Sequence, residues 1–222
     1  MTIKTPQPDM EVTPQDLLAS FKSAFGNGLK GGEVRSALSG SLKTPRYSIW
    51  LRVERALLRP AMQHLIAIAY PHLAVIAGND LGDEIELLYI LSVFLGKKHG
   101  EYMVTIAISL PKSDLVVPTI ADLLPGAVFS EREKQEFFGI TVENIPDGRR
   151  LFLPDDFPLG VYPWRKDETG IQPGMVKELW KTNRPTDRPA PPVPEKEPAP
   201  KESGGSTTES DRSEPLKGGG NL

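Results

Sequence analysis

SEREKQEFFGITVENIPDGRRLFLPDDFPLGVYPWRKD, residues 130–167, decides how this chain is read. Ser130 followed by Glu133 has capping-box spacing, and Glu131 and Glu133 suit the positive end of a helix dipole. Phe137 and Phe138 supply an apolar end, and Gly139 can take the positive φ that closes a helix. A short helix of about two turns is predicted from Ser130 to Phe138. Ile140 and Val142 read as a brief strand. Pro146, Pro154, Pro158 and Pro163 then argue against regular structure. Long irregular stretches inside a domain are functional or disordered, and Phe152, Phe157, Tyr162 and Trp164 speak for order. The guanidinium groups of Arg149, Arg150 and Arg165 suit carboxylates and backbone carbonyls. Their partners are either another protein or Asp147, Asp155, Asp156 and Asp167 of the same segment.

In order, Glu131-Arg132-Glu133, Phe138-Gly139-Ile140, Pro146-Asp147, Arg149-Arg150-Leu151 and Arg165-Lys166-Asp167 resemble the signature of the thirty-kilodalton (30 kDa) subunit of respiratory complex I. That family includes equivalents in energy-converting, membrane-bound nickel-iron hydrogenases. Ile145 and Gly148 stand where the complex I form usually has His and Leu. Leu153 to Pro158, leading into Tyr162-Pro163-Trp164-Arg165, is more similar to the hydrogenase-type branch.

With 39% hydrophobic and 25% charged residues, the chain has the composition of a globular protein. It has no Cys, which excludes disulfides, thiolate zinc sites and Cys-ligated iron–sulfur clusters. A net charge of −3 with a pI near 5.7 argues against general nucleic-acid binding. The apolar runs 65–77 and 85–95 are broken or too short for the roughly 20 residues of a membrane-spanning helix. The N-terminus has no basic start followed by an apolar core.

Along the chain, residues 1–12 read as a flexible leader. Thr13-Pro14 opens a helix with Leu17, Leu18, Phe21, Ala24 and Phe25 on one face, ending at Gly26. A possible short strand lies between Gly31-Gly32 and Ser39-Gly40. Ile49, Leu51 and Val53 then alternate with Ser48, Trp50 and Arg52 as a strand, with Trp50 read as core. A second helix, with Pro60 in its first turn, carries Leu57, Leu58, Ala61, Met62, Leu65, Ile66 and Ala69 on one face and leaves at Pro71. Strands follow at 73–77, 84–95 and 103–110, the middle one apolar on both faces. A turn is expected at 78–83, a hairpin loop at 96–100 and a short helix around Ile120 to Leu124. Runs of strands with segregated helices indicate an α+β fold. Short connections predict a largely antiparallel sheet with helices packed on it. The α+β domain spans 13–144 and an extended docking arm spans 145–182, with a last helix near Met175 to Lys181. Residues 183–222, rich in Pro, Gly and Ser and poor in large apolar residues, read as a disordered tail.

No enzyme chemistry converges in this pattern. His64, His72 and His99 lack metal-ligand spacing. The pairs Glu84/Glu86, Glu131/Glu133 and Asp155/Asp156 read as solvated or structural rather than catalytic. The glycines form no phosphate loop, and no serine sits in a nucleophile elbow. No catalytic, cofactor-binding or metal-binding residue is assigned.

The resemblance implies a non-catalytic structural subunit in the hydrophilic arm of a membrane-bound, ion-translocating oxidoreductase. It would brace the large catalytic-type subunit and the small iron–sulfur subunit, on the cytoplasmic side, reaching the membrane only through partners. Expected interface residues from the helix are Glu131, Arg132, Glu133 and Phe138. Those from the arm are Arg149, Arg150, Phe152, Phe157 and Trp164, then Arg165, Lys166 and Asp167. The alternatives are the corresponding 30 kDa subunit of a true NADH:quinone oxidoreductase, or a free-standing adaptor or assembly factor of the same fold.

Overall fold

The computed structural model describes residues 12–41, 44–96 and 101–175, which lie within one unit spanning 1–184. The leader up to residue 11, the loop 97–100, the predicted helix beyond Met175 and the tail fall outside the described residues.

Helix α1, Pro14–Phe25, starts at a reciprocal cap. The Asp16 N–H donates to the Thr13 hydroxyl (3.1 Å), and the Thr13 N–H donates to the Asp16 carboxylate (3.2 Å). Strand β1, Leu29–Ser39, continues through Gly31 and Gly32 with a register shift between Leu29 and Gly31, where a shorter strand was expected. β2 is Thr44–Val53, and a 3-10 turn at Arg55–Leu57 leads into α2, Leu58–Ile68. Pro60 lies in its first turn, where its missing N–H has no helical partner to lose. β3 (His72–Asp80), β4 (Glu84–Val93) and β5 (Tyr102–Pro111) follow. β3 therefore continues through Gly78 to Asp80, and only 81–83 turn.

The five strands form one sheet in the order β1-β2-β5-β4-β3. Three pairings are antiparallel, and β2–β5 is parallel. The fold is α+β with a mostly antiparallel sheet, as expected. The parallel pair arises because α2 carries the chain to the far edge, from which β3, β4 and β5 return to β2.

Leu17 and Phe21 of α1 and Leu58, Ala61, Met62 and Leu65 of α2 are fully buried against one sheet face. That face is built from Ile49 and Leu51 of β2, Leu87, Tyr89 and Leu91 of β4 and Val104, Ile106 and Ile108 of β5. Among the described residues no helix covers the opposite face, which carries Val75, Leu88, Ile90, Met103 and Trp50 beside an Arg52–Glu86 ion pair. Trp50 is thus not a core residue. It pairs with Thr105 on this outer face, and the Arg35 guanidinium lies 4.6 Å from its ring centre. Alternation put Trp50 opposite Ile49 and Leu51, and the helices took the aliphatic side.

Two short parallel strands, β6 (Val116–Pro118) and β7 (Thr141–Glu143), bracket helix α3, Ala127–Phe138. The segment at Ile120 to Leu124 is a run of turns rather than the expected helix. α3 packs against β3, where the Phe138 ring fills the space over Gly78; a Cβ at Gly78 would lie 2.3 Å from that ring.

Candidate functional site

Helix α3 begins at Ala127, three residues earlier than its sequence suggests, so Ser130 lies inside it and caps nothing. The turn at Pro125-Gly126 leads directly into the helix. The two glutamates of the supposed cap have other partners. Glu131 is buried and accepts from the Thr119 hydroxyl (2.6 Å) and the Ile120 N–H (2.7 Å). Burial pushes its carboxyl above the usual range, against the pull of these two donors. Glu133 pairs with Lys134. Burial holds the Lys134 ammonium below the usual lysine range while Glu133 acts the other way, and the ammonium lies 4.7 Å from the Trp164 ring centre.

Four charged residues of α3, Glu131, Arg132, Lys134 and Glu136, are buried. Two of them hold the arm by its backbone. Arg132 donates to the carbonyls of Arg149 (2.6 Å) and Arg150 (2.8 Å) and lies 3.4 Å from the Asp147 carboxylate. The Glu136 carboxylate accepts the N–H groups of Leu151, Phe152 (2.9 Å) and Leu153 (2.7 Å). A buried charge costs several kcal/mol unless it is bonded in this way, about as much as the arm's own unpaired backbone groups would cost.

The arm then returns to the end of α3. Gly139 closes the helix at φ 72° and ψ 29°, with the Tyr162 ring packed over it. The Trp164 N–H donates to the Phe137 carbonyl (3.1 Å) and Arg165 to the Phe138 carbonyl (3.2 Å). Both satisfy carbonyls at the negative end of the helix, where a guanidinium is favoured. The Trp164 ring stacks on Phe137 with centres 4.4 Å apart.

The Arg165-Lys166-Asp167 motif ends on a second junction, at the turn between β3 and β4. The fully buried Asp80 carboxylate accepts from the Gly82 N–H (2.9 Å), the Lys112 ammonium (3.0 Å) and the Lys166 N–H (2.8 Å). Lys112 also donates to Asp167 (2.5 Å), to which Arg165 donates through Nε (3.1 Å). Burial raises the Asp80 and Asp167 carboxyls. These donors, joined at Asp167 by the hydroxyl and N–H of Thr169, outweigh it and hold both below the usual carboxylate range.

The expected interface residues therefore divide. Glu131, Arg132, Phe138, Arg165 and Asp167 are largely buried and bonded or packed within the chain. Glu133 and Lys166 also have internal partners. Phe157 is buried, and its carbonyl and that of Pro154 accept from Arg150 (3.1 and 3.0 Å). Facing outward are Phe152 (55% exposed), Trp164 (41%) and the Arg149 side chain (85%), which forks onto Asp147 at 2.8 and 2.9 Å. Leu151 and Leu159 (88% exposed) also face outward, and nothing in the sequence marks them as doing so. Asp80, Lys112 and Glu136 were missed as well. For Glu136 the one-turn spacing from Arg132 was a usable signal. For Asp80, no local pattern marks its partners.

His64 Nε2 lies 3.1 Å from the Ser20 hydroxyl, with its ring edge-on to Phe21, in a packing role. His72 begins β3, and His99 is outside the described residues. Among the described residues no group of three or more His, Cys, Asp or Glu could hold a metal. No described helix is long and apolar enough to cross a membrane.

The family model for the respiratory-chain NADH dehydrogenase 30 Kd subunit matches residues 51–173, more than half of the chain. The protein belongs to this family. It is 36% identical over 136 residues to the membrane-bound hydrogenase subunit beta of Pyrococcus furiosus, covering 61% of this chain and 78% of that one. It is 31% identical over 140 residues to NADH-quinone oxidoreductase subunit 5 of Thermus thermophilus, covering 59% and 67%. Formate hydrogenlyase subunit 5 of Escherichia coli is 36% identical over 98 residues, which are 43% of this chain but 17% of that one. The family domain is there a minor part of a longer polypeptide. The membrane-bound sulfane sulfur reductase, an archaeal respiratory membrane complex, contains a chain of the same fold, with a TM-score of 0.56 at 22% identity over 77% of this chain and 92% of that one.

Proposed function

We propose that this 30 Kd family member is a non-catalytic structural subunit of the peripheral arm of its complex. That it is a subunit of a complex I-like or hydrogenase-type membrane complex follows from its family and relatives. In the finer reading, the body, residues 13–144, docks beside the large catalytic-type and small iron–sulfur subunits, and the arm, residues 145–182, makes the principal contact. The protein then reaches the cytoplasmic side of the membrane only through these partners.

One observation carries this reading. The backbone of residues 149–153 and the Arg165 side chain are bonded inward, while Phe152 and Trp164, both packed on Phe137, face outward together with Leu151 and the Arg149 side chain. Aromatic and Arg side chains held in place by a rigid support are the usual anchors of protein interfaces. The Escherichia coli relative supports the same reading, since there the domain is covalently joined to a much longer chain.

The test is copurification from the native host, using full-length tagged protein with Phe152→Ala, Trp164→Ala or Arg149→Ala. Arg149 is the cleaner of the two neighbouring arginines, because Arg150 also holds the arm's carbonyls. Each change is expected to weaken recovery of the partner subunits, by about 2 kcal/mol at a true anchor; Phe152→Ala and Arg149→Ala should do so with little loss of folding stability, while Trp164→Ala also gives up its stack on Phe137. Undiminished recovery with all three would overturn the docking reading. Recovery of no partner by the unchanged protein would favour a free-standing adaptor instead.

A further inference from the structure

We infer that Arg132 and Glu136 are positioning residues that hold the docking strip in its presented shape. The inference rests on the docking reading above and adds what sets the strip's conformation.

The two residues lie one turn apart on α3 and together bond five backbone groups, one from each residue from 149 to 153. Arg132 takes the carbonyls of residues 149 and 150. Glu136 takes the N–H groups of residues 151, 152 and 153. Three successive N–H groups converging on one point form a concave anion site, and here the anion is a side chain of the same protein. With the backbone of 149–153 turned inward, the side chains of Leu151 and Phe152 are left facing out. Phe152 then lies beside Phe137, with ring centres 6.0 Å apart, next to the Phe137–Trp164 stack. Remove the carboxylate and three donors point at an empty place. They recover partners only by turning to water, which rotates Phe152 out of the strip. None of the described hydrogen bonds of Glu136 reaches β4 or β5, so the sheet does not depend on it.

The experiment compares full-length wild type, Glu136→Ala, Glu136→Gln and Phe152→Ala by site-resolved hydrogen exchange and by copurification of partner subunits. Glu136→Ala is expected to speed exchange at amides 151–153 by about tenfold or more while β4 and β5 amides stay protected. Partner recovery should fall about tenfold with it. Glu136→Gln, which keeps one acceptor oxygen, should fall between. Unchanged exchange at 151–153 overturns the inference. So does loss of β4 and β5 protection in both Glu136 variants, which would make Glu136 a folding residue. Faster exchange with undiminished partner recovery also overturns it. In that case Phe152→Ala separates the causes: lost recovery with Phe152→Ala keeps the docking reading, and retained recovery removes that reading too.

Discussion

Asp80 and Lys166, 86 positions apart, bond each other twice. The Asp80 carboxylate accepts the Lys166 N–H at 2.8 Å, and the Asp80 carbonyl accepts the Lys166 ammonium at 2.8 Å. With Lys112 and Asp167, they tie the end of β3, the residue after β5 and the arm at 166–167 to one point. The arm is thus fastened at two points, by α3 near residue 150 and by Asp80 near residue 166.

Asp80→Ala removes a buried acceptor and leaves the Lys112 ammonium and two N–H groups without it. Breaking a buried pair from one side costs about 3–5 kcal/mol. The urea midpoint is expected to drop accordingly. Asp80→Asn, which keeps one acceptor oxygen, should lose less. Equal midpoints for wild type and Asp80→Ala would show that the junction adds nothing to stability.

The same junction predicts sensitivity to acid. Asp80 and Asp167 both titrate below their ordinary range in the folded chain. An unfolded Asp titrates near about 3.9, so the folded state binds fewer protons there than the unfolded state. The stabilisation is complete above that pH and is lost as pH falls through the lower folded values. Urea midpoints should therefore hold steady down to about pH 5 and decline below about pH 4. An Asp80→Asn, Asp167→Asn double variant should start lower and decline less. The same acid slope in both proteins would refute the assignment.

Two glycines are held by what packs on them. Gly139 has φ 72°, and a Cβ there would lie 2.5 Å from the Tyr162 ring. Gly139→Ala should cost at least about 1–2 kcal/mol for the backbone alone. Gly78 has an ordinary φ, so Gly78→Ala should cost about 1–3 kcal/mol through displacement of the Phe138 ring. Thermal melts distinguish these from Gly82, where a Cβ meets nothing within 4 Å and only the backbone cost at φ 102° remains.

Glu131 separates the effect of charge from that of hydrogen bonding. Its carboxyl is pushed up by burial, so the neutral form is the better tolerated one. Glu131→Gln keeps an acceptor for the Ile120 N–H and should change stability by less than about 1 kcal/mol. Glu131→Ala leaves that buried N–H unpaired and should cost about 1–3 kcal/mol. Denaturation of the two variants side by side checks the difference.

Several elements could be read before any tertiary structure. The Thr13 cap and Pro14 set the start of α1, and Gly139 sets the end of α3, because both act on backbone groups within a turn. The strands β2 and β5 and the inward faces of α1 and α2 follow from apolar spacing. The start of α3 was misread because Ser130 and Glu133 have cap spacing without cap geometry. The helix had already been opened at Pro125-Gly126, and neighbouring turns had claimed Glu131. An aromatic residue on a buried strand fits either face, so alternation alone does not assign Trp50 to the outer one.

The order of elements, their periodicity and the family signature are properties of the sequence itself, since each depends on residues a few positions apart. The parallel contact of β2 with β5, the inward use of Glu131, Arg132, Arg165 and Asp167, and the outward exposure of Leu151, Phe152 and Trp164 were settled only by tertiary structure. A buried charge must find its counterpart wherever packing brings one, 12 positions away for Glu131 and Thr119, 55 for Lys112 and Asp167. No local pattern encodes that distance.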